Sequence, residues 1–91
     1  MEMSTKELTQ TIAETIATET YSIVLYNDEV NSFDWVIQSL VEICDHATTQ
    51  AEQCAWIVHQ SGKYVVKSGE KKDMIERSMA LLDRGLTVEV V

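Results

Sequence analysis

From Tyr21 to Tyr26 the chain places Tyr21, Ile23 and Leu25 on one side of an extended backbone and Ser22, Val24 and Tyr26 on the other. A period of two in strand-favouring residues predicts a first strand. The period then lengthens. Phe33, Val36, Ile37, Leu40, Val41 and Cys44 recur at i, i+3, i+4, i+7, i+8 and i+11, which is one helical face turned toward a core, with Ser32 or Asn31 as its N-cap. A second helix carries Ala51 to Gln60. Thr49 and Glu52 stand at capping-box spacing at its start, and Gly62 suits a left-handed C-cap at its end. Lys63 to Lys67 reads as a short strand with Tyr64 and Val66 opposed by Val65, and Ser68-Gly69 reads as a turn. Met74, Ile75, Ser78, Leu81 and Leu82 form a third helical stripe, closed by Arg84 and Gly85. Leu86 to Val91 is the final strand.

Residues 1–19 are rich in Thr, Glu and Ala, and only Leu8, Ile12 and Ile16 repeat at helical spacing. So thin a stripe cannot bury a stable helix by itself, and a flexible arm is expected over residues 1–19. Residues 20–91 form the core domain in the order β-α-α-β-α-β. The simplest packing for that order is α+β, one sheet covered on one side by helices.

At 91 residues the chain makes a single domain, and a chain of this size buries roughly 60–65% of its unfolded surface. Seven basic against fifteen acidic side chains give a net charge of −8. That balance argues against nucleic acid as a partner, because phosphate contacts need Lys and Arg. No stretch approaches the ~20 apolar residues that span a bilayer, and no signal-peptide pattern opens the chain, so no membrane partner and a cytoplasmic location are expected. Cys44 and Cys54 fall at apolar helical positions, where a free cysteine acts as a small hydrophobe. Cys44 and His46, or Cys54 and His59, point to opposite faces of a helix at their spacings, so neither pair chelates a metal or forms a nucleophile with its base. No metal, no other cofactor and no enzymatic activity are expected.

The chemistry that remains concerns binding. Tyr26-Asn27-Asp28-Glu29-Val30-Asn31 joins the first strand to the first helix and leaves an amide and a carboxylate at the strand's exit. The second helix ends in Trp56-Ile57-Val58-His59, which sets an imidazole beside apolar side chains. Polar acceptors at the rim of a small apolar pocket are the usual form of a specific binding site. Taken singly, Asn27-Asp28 are turn formers, His59 is a residue favoured by the helix dipole, and Trp56 is a packing residue. Their combination points elsewhere.

Val24-Leu25-Tyr26-Asn27-Asp28-Glu29, the helix start Phe33-Asp34-Trp35-Val36-Ile37, and Ala55-Trp56-Ile57-Val58-His59 followed by Gly62-Lys63 resemble the ClpS family over roughly residues 20–91. The resemblance implies a small sandwich of a three-stranded antiparallel sheet and three helices. It also implies an adaptor that captures proteins by a bulky hydrophobic N-terminal residue, the N-degron, and hands them to a Clp AAA+ unfoldase. The partners implied are the N-terminal domain of a ClpA- or ClpC-type unfoldase and N-degron peptides, with the adaptor itself a monomer. Asn27, Asp28 and His59 would then receive the substrate's α-amino group and first peptide unit. Val36, Ala55, Val58 and Leu86 would line the side-chain pocket, with Asn31 and Phe33 at its rim.

These residue types suit that task. Asn27 can accept from an ammonium and donate to a peptide carbonyl, Asp28 adds negative potential, and a neutral His59 can accept directly or through water. Charged hydrogen bonds of about 1.5–3 kcal/mol and burial of a Leu- or Phe-sized side chain at about 1.5–3 kcal/mol suit a micromolar affinity. The chain departs from the family's pattern in three places: Asn31-Ser32 stands in place of Thr-Pro, Ala55 stands in place of a Met that narrows the pocket mouth, and the turn from Ser68 to Lys72 has no clear counterpart. The second departure predicts tolerance of β-branched first residues. The rival reading is a ClpS-like regulatory module that binds the unfoldase without recognising N-terminal residues.

Overall fold

The computed structural model describes residues 19–91, so the arm expected over residues 1–19 lies, apart from Glu19, outside the described residues. Six elements follow in the predicted order: β1 (Thr20–Tyr26), α1 (Phe33–Cys44), α2 (Thr48–Ser61), β2 (Lys63–Glu70), α3 (Lys71–Asp83) and β3 (Thr87–Val90). The strands form one antiparallel sheet in the order β2-β1-β3. The architecture is thus the expected α+β sandwich. Ile23 and Leu25, two apart in β1, are buried beneath Leu40 and Cys44 of α1, Ala51, Cys54 and Val58 of α2, and Met74 and Leu81 of α3. Alternation of side chains along a strand puts Ser22 on the other face, where its hydroxyl meets that of Ser68 at 2.7 Å.

Local chemistry sets several of the helix ends, although neither α2 nor α3 has a side-chain N-cap. Ser32 caps α1, its hydroxyl accepting from the Trp35 amide at 3.1 Å. Gly62 closes α2 at φ 90°, where a Cβ would be strained, and its amide donates to the Val58 carbonyl. The capping box expected at Thr49 and Glu52 does not form. The helix begins at Thr48, so Thr49 already has helical backbone and Ala47 holds the cap position without a side-chain bond. At the end of α1, Asp45 takes the left-handed conformation at φ 60° and Arg77 of α3 bridges it to the Ile43 carbonyl.

Three further expectations are corrected. Ser68-Gly69 is strand and not turn: β2 runs to Glu70, with Ser68 opposite Ser22 and Gly69 opposite Tyr21. The glycine there answers to space, since a Cβ on it would come within 3.2 Å of Met74 Cε. The third helical stripe is narrower than predicted. Met74, Ser78 and Leu81 are buried, whereas Ile75 and Leu82 are exposed, because α3 meets the sheet along a single i, i+4, i+7 row. The last strand is also shorter than Leu86–Val91, and Leu86 is buried just before it.

A bulge in β2 has a side-chain partner. The register passes from Ile23–Lys67 to Val24–Val65, which leaves Val66 without a partner in β1. The Val66 carbonyl accepts from His46 Nε2 at 2.8 Å, and His46 is buried in the α1–α2 connection. A carbonyl only accepts, so the proton lies on Nε2, and burial lowers the basicity of the ring. Cys44 and Cys54 are free and buried, and burial pushes the Cys44 thiol to about 11. Both sulfurs therefore serve packing at neutral pH.

Candidate functional site

Two glycines that follow helices hold the loop between β1 and α1. Gly62, the C-cap of α2, offers its carbonyl to the Asn27 amide at 2.8 Å. Gly85, at φ 88° after α3, offers its carbonyl to Asn31 Nδ2 at 2.9 Å. Each end of the loop is thereby tied to a different helix terminus. Between them Asp28 organises the turn: Oδ1 accepts from the Val30 and Asn31 amides, both at 2.9 Å, as in an Asx turn. Both carboxylate oxygens also accept from Asn31 Nδ2, and Oδ2 accepts from Thr87 Oγ1 at 3.3 Å. Burial acts to raise the Asp28 carboxyl, but the hydrogen bonds from Asn31, Val30 and Thr87 outweigh it and hold the group below the usual carboxylate range. Asp28 is ionised at neutral pH and its acceptor positions are taken within the protein.

Asn27 is different. Its backbone is anchored, but among the described residues its side chain makes no hydrogen bond and is exposed. An amide free on both its donor and acceptor sides at a fixed backbone position is suited to an incoming polar group.

Beneath the loop lies a pocket walled by Leu25, Tyr26, Asn27, Asp28, Asn31, Phe33, Val36, Ala55, Val58 and Leu86. The cavity measures about 30 Å³, with about 340 Å³ of empty space once its open mouth is counted. Val36 comes from α1, Ala55 and Val58 from one face of α2, and Leu86 from the approach to β3. Three further contacts fix the Leu86 wall. Trp35 Nε1 donates to the Arg84 carbonyl at 2.9 Å, and the Arg84 guanidinium lies 5.3 Å from the Trp35 ring and 2.7 Å from a Glu42 carboxylate oxygen. The start of α1 therefore clamps the turn that delivers Leu86.

Every residue singled out from the sequence for this site lines the pocket except His59. His59 is exposed and stands at the mouth, its ring 5.6 Å from that of Phe33. Trp56 joins the same group 6.2 Å from Phe33, and at 56% exposed it is not the packing residue its sequence context suggested. Leu25 and Tyr26 also line the pocket and were missed. Alternation along β1 sends these two side chains to opposite faces, so periodicity did not mark them together; only their place at the end of the strand, beside the loop, could have. No group of three His, Cys, Asp or Glu side chains among the described residues is placed to hold a metal, and no described helix is long and apolar enough to cross a membrane.

Comparison with known proteins agrees with this geometry. No curated protein sequence matches the chain significantly. Among solved structures, the fold is similar to that of Agrobacterium tumefaciens ClpS2 bound to L-phenylalaninamide. The TM-score is 0.76 at 18% sequence identity, over 79% of this chain and 94% of that one. The sequence model described as "ATP-dependent Clp protease adaptor protein ClpS" matches residues 16–89, nearly the whole of the described fold. That match spans well over half of the chain, and the chain belongs to the ClpS family of Clp protease adaptors.

Proposed function

We propose that this protein holds the free N-terminus of proteins that begin with a bulky hydrophobic residue and delivers them to the N-terminal domain of a ClpA- or ClpC-type AAA+ unfoldase. The observation that carries the reading is the placement of an unpaired Asn27 amide and an ionised Asp28 at the lip of an apolar pocket. The Asn27 carbonyl accepts from the substrate ammonium, and its NH2 group donates to the first peptide carbonyl. Asp28 acts through charge and by ordering the loop, since its oxygens are already engaged. His59 at the mouth accepts from the ammonium directly or through a water. Val36, Ala55, Val58 and Leu86 take the first side chain, while Asn31 and Phe33 form the rim. The binding of a phenylalanine amide by the Agrobacterium ClpS2 supports the same chemistry here.

Two departures at the site favour a second reading, in which the chain binds its unfoldase without recognising N-terminal residues: Asn31-Ser32 stands in place of Thr-Pro, and Ala55 in place of Met. Fluorescence anisotropy with short Phe- and Leu-initiated peptides separates the two. The adaptor reading expects affinity near micromolar, about −8 kcal/mol, and loss of binding by at least tenfold on N-acetylation. Asn27→Ala should weaken binding by about 1 kcal/mol with the fold intact. Equal binding of free and acetylated peptides would sink the reading.

A further inference from the structure

Three rings stand together just outside the pocket. Phe33, the first residue of α1, lines the pocket, while Trp56 and His59 project from α2 at i, i+3 spacing. Phe33 meets Trp56 at 6.2 Å and 70° and His59 at 5.6 Å and 80°, and Trp56 lies 6.0 Å from His59. Edge-to-face contacts at these distances are the favoured aromatic geometry, so the rings brace one another. Their outer faces are nonetheless open: Trp56 is 56% and Phe33 40% exposed. The surroundings are acidic. Asp28, Glu29 and Asp34 flank Phe33 in sequence, and Glu52 lies one turn before Trp56 on α2. Lys63 lies over the Tyr26 ring, 5.9 Å from its centroid.

The cluster is continuous with the pocket through Phe33, so the occupant nearest to hand is the chain whose first side chain enters that pocket. An extended peptide advances roughly 3.3 Å per residue, which brings its second and third residues past the mouth. From this geometry we infer that Phe33, Trp56 and His59 form a second subsite of the same groove, which takes a cationic side chain, Arg ahead of Lys, at the second or third position of the substrate. The inference rests on the N-terminus-binding reading above. A guanidinium is planar, stacks on aromatic faces and is drawn by the negative quadrupole of Trp and by nearby carboxylates. An Asp or Glu at the same place meets that field with the wrong sign.

The test uses peptides with Phe first and Arg, Ala or Asp at position two or three on an otherwise identical neutral tail, with acetylated Phe-Ala as control. Each is titrated against the full chain and its Trp56→Ala and Trp56→Phe variants, with folding checked by circular dichroism. The expected result is a preference for Arg over Ala of roughly two- to fivefold at one of the two positions. Trp56→Ala should bring that ratio close to one, and Trp56→Phe should keep most of it. If binding requires the free amine but the Arg-to-Ala ratio is the same in wild type and Trp56→Ala, the subsite is refuted and the N-terminus reading stands. If acetylated and free peptides bind alike, both fall together.

Discussion

On the loop side of the pocket, Asp28 gathers the Val30 and Asn31 amides, the Asn31 side chain and the Thr87 hydroxyl, and the glycine carbonyls at 62 and 85 anchor both ends. On the helix side, Phe33, Trp56 and His59 touch through ring edges, above small or branched residues at Ala55, Val58 and Val36. Directional bonds hold the first wall in one geometry, because each lost partner leaves a polar group unsatisfied. Ring edges and methyl groups hold the second through non-directional contacts that allow repacking. One pocket thus joins a rigid polar lip to an adjustable apolar mouth. The lip is suited to a constant feature of every substrate, its amine, and the mouth to side chains that vary.

The largest effect expected from this contrast is on the loop. Asp28→Ala should destabilise the protein by about 2 kcal/mol in urea denaturation, because it removes several hydrogen bonds to a charged acceptor. It should also weaken peptide binding by tenfold or more. Trp56→Ala should change stability by no more than about 0.5 kcal/mol, as is usual for an exposed residue. Equal losses from the two substitutions would erase the distinction between the walls.

A smaller effect is expected at the mouth. Ala55 leaves room that a longer side chain would fill, so Ile- and Val-initiated peptides should bind within roughly tenfold of Leu, about 1.4 kcal/mol. Ala55→Met should widen that gap by about another tenfold while sparing Phe and Leu, read from the same titrations. If the wild type already rejects Ile and Val a hundredfold, the apolar wall is as unyielding as the loop.

The smallest effect is a dependence on pH. The Asp28 carboxyl lies below its ordinary value of 3.8 in the folded protein. A depressed carboxyl contributes stability that is fully present above the unfolded-state value and is lost as pH falls through the folded-state value. Urea midpoints should therefore decline below about pH 4, and the decline should be shallower in Asp28→Asn. Parallel curves for the two proteins would mean that the Asp28 hydrogen bonds do not favour the ionised form.

Much of this was legible in the chain. The alternation from Tyr21 to Tyr26 marked β1, and the repeat from Phe33 to Cys44 marked α1 to the residue. Gly62 and Gly85 were readable as helix ends, but their second use, giving carbonyls to the loop, was not. Which acceptor a turn residue finds depends on elements far away in sequence. The Ser68-Gly69 pair was misread because turn propensity is local, whereas its pairing with Ser22 and Tyr21 joins residues more than forty positions apart.

The site shows the same division. Asn27, Asp28, Asn31, Phe33, Val36, Ala55, Val58 and Leu86 could be named from the resemblance to the ClpS family, and all of them line the pocket. Sequence likewise settled the charge and the order of elements over the described residues, which depend on composition and local period. Tertiary structure alone decided that Asp28 is engaged by Asn31 and Thr87 while the Asn27 side chain is exposed and makes no hydrogen bond among the described residues. It alone decided that His59 stands beside the pocket mouth and not in its wall, and that Trp56 faces outward. Adjacent polar residues have the same local propensities, and a helix face is assigned to core or solvent only once its neighbours are packed against it.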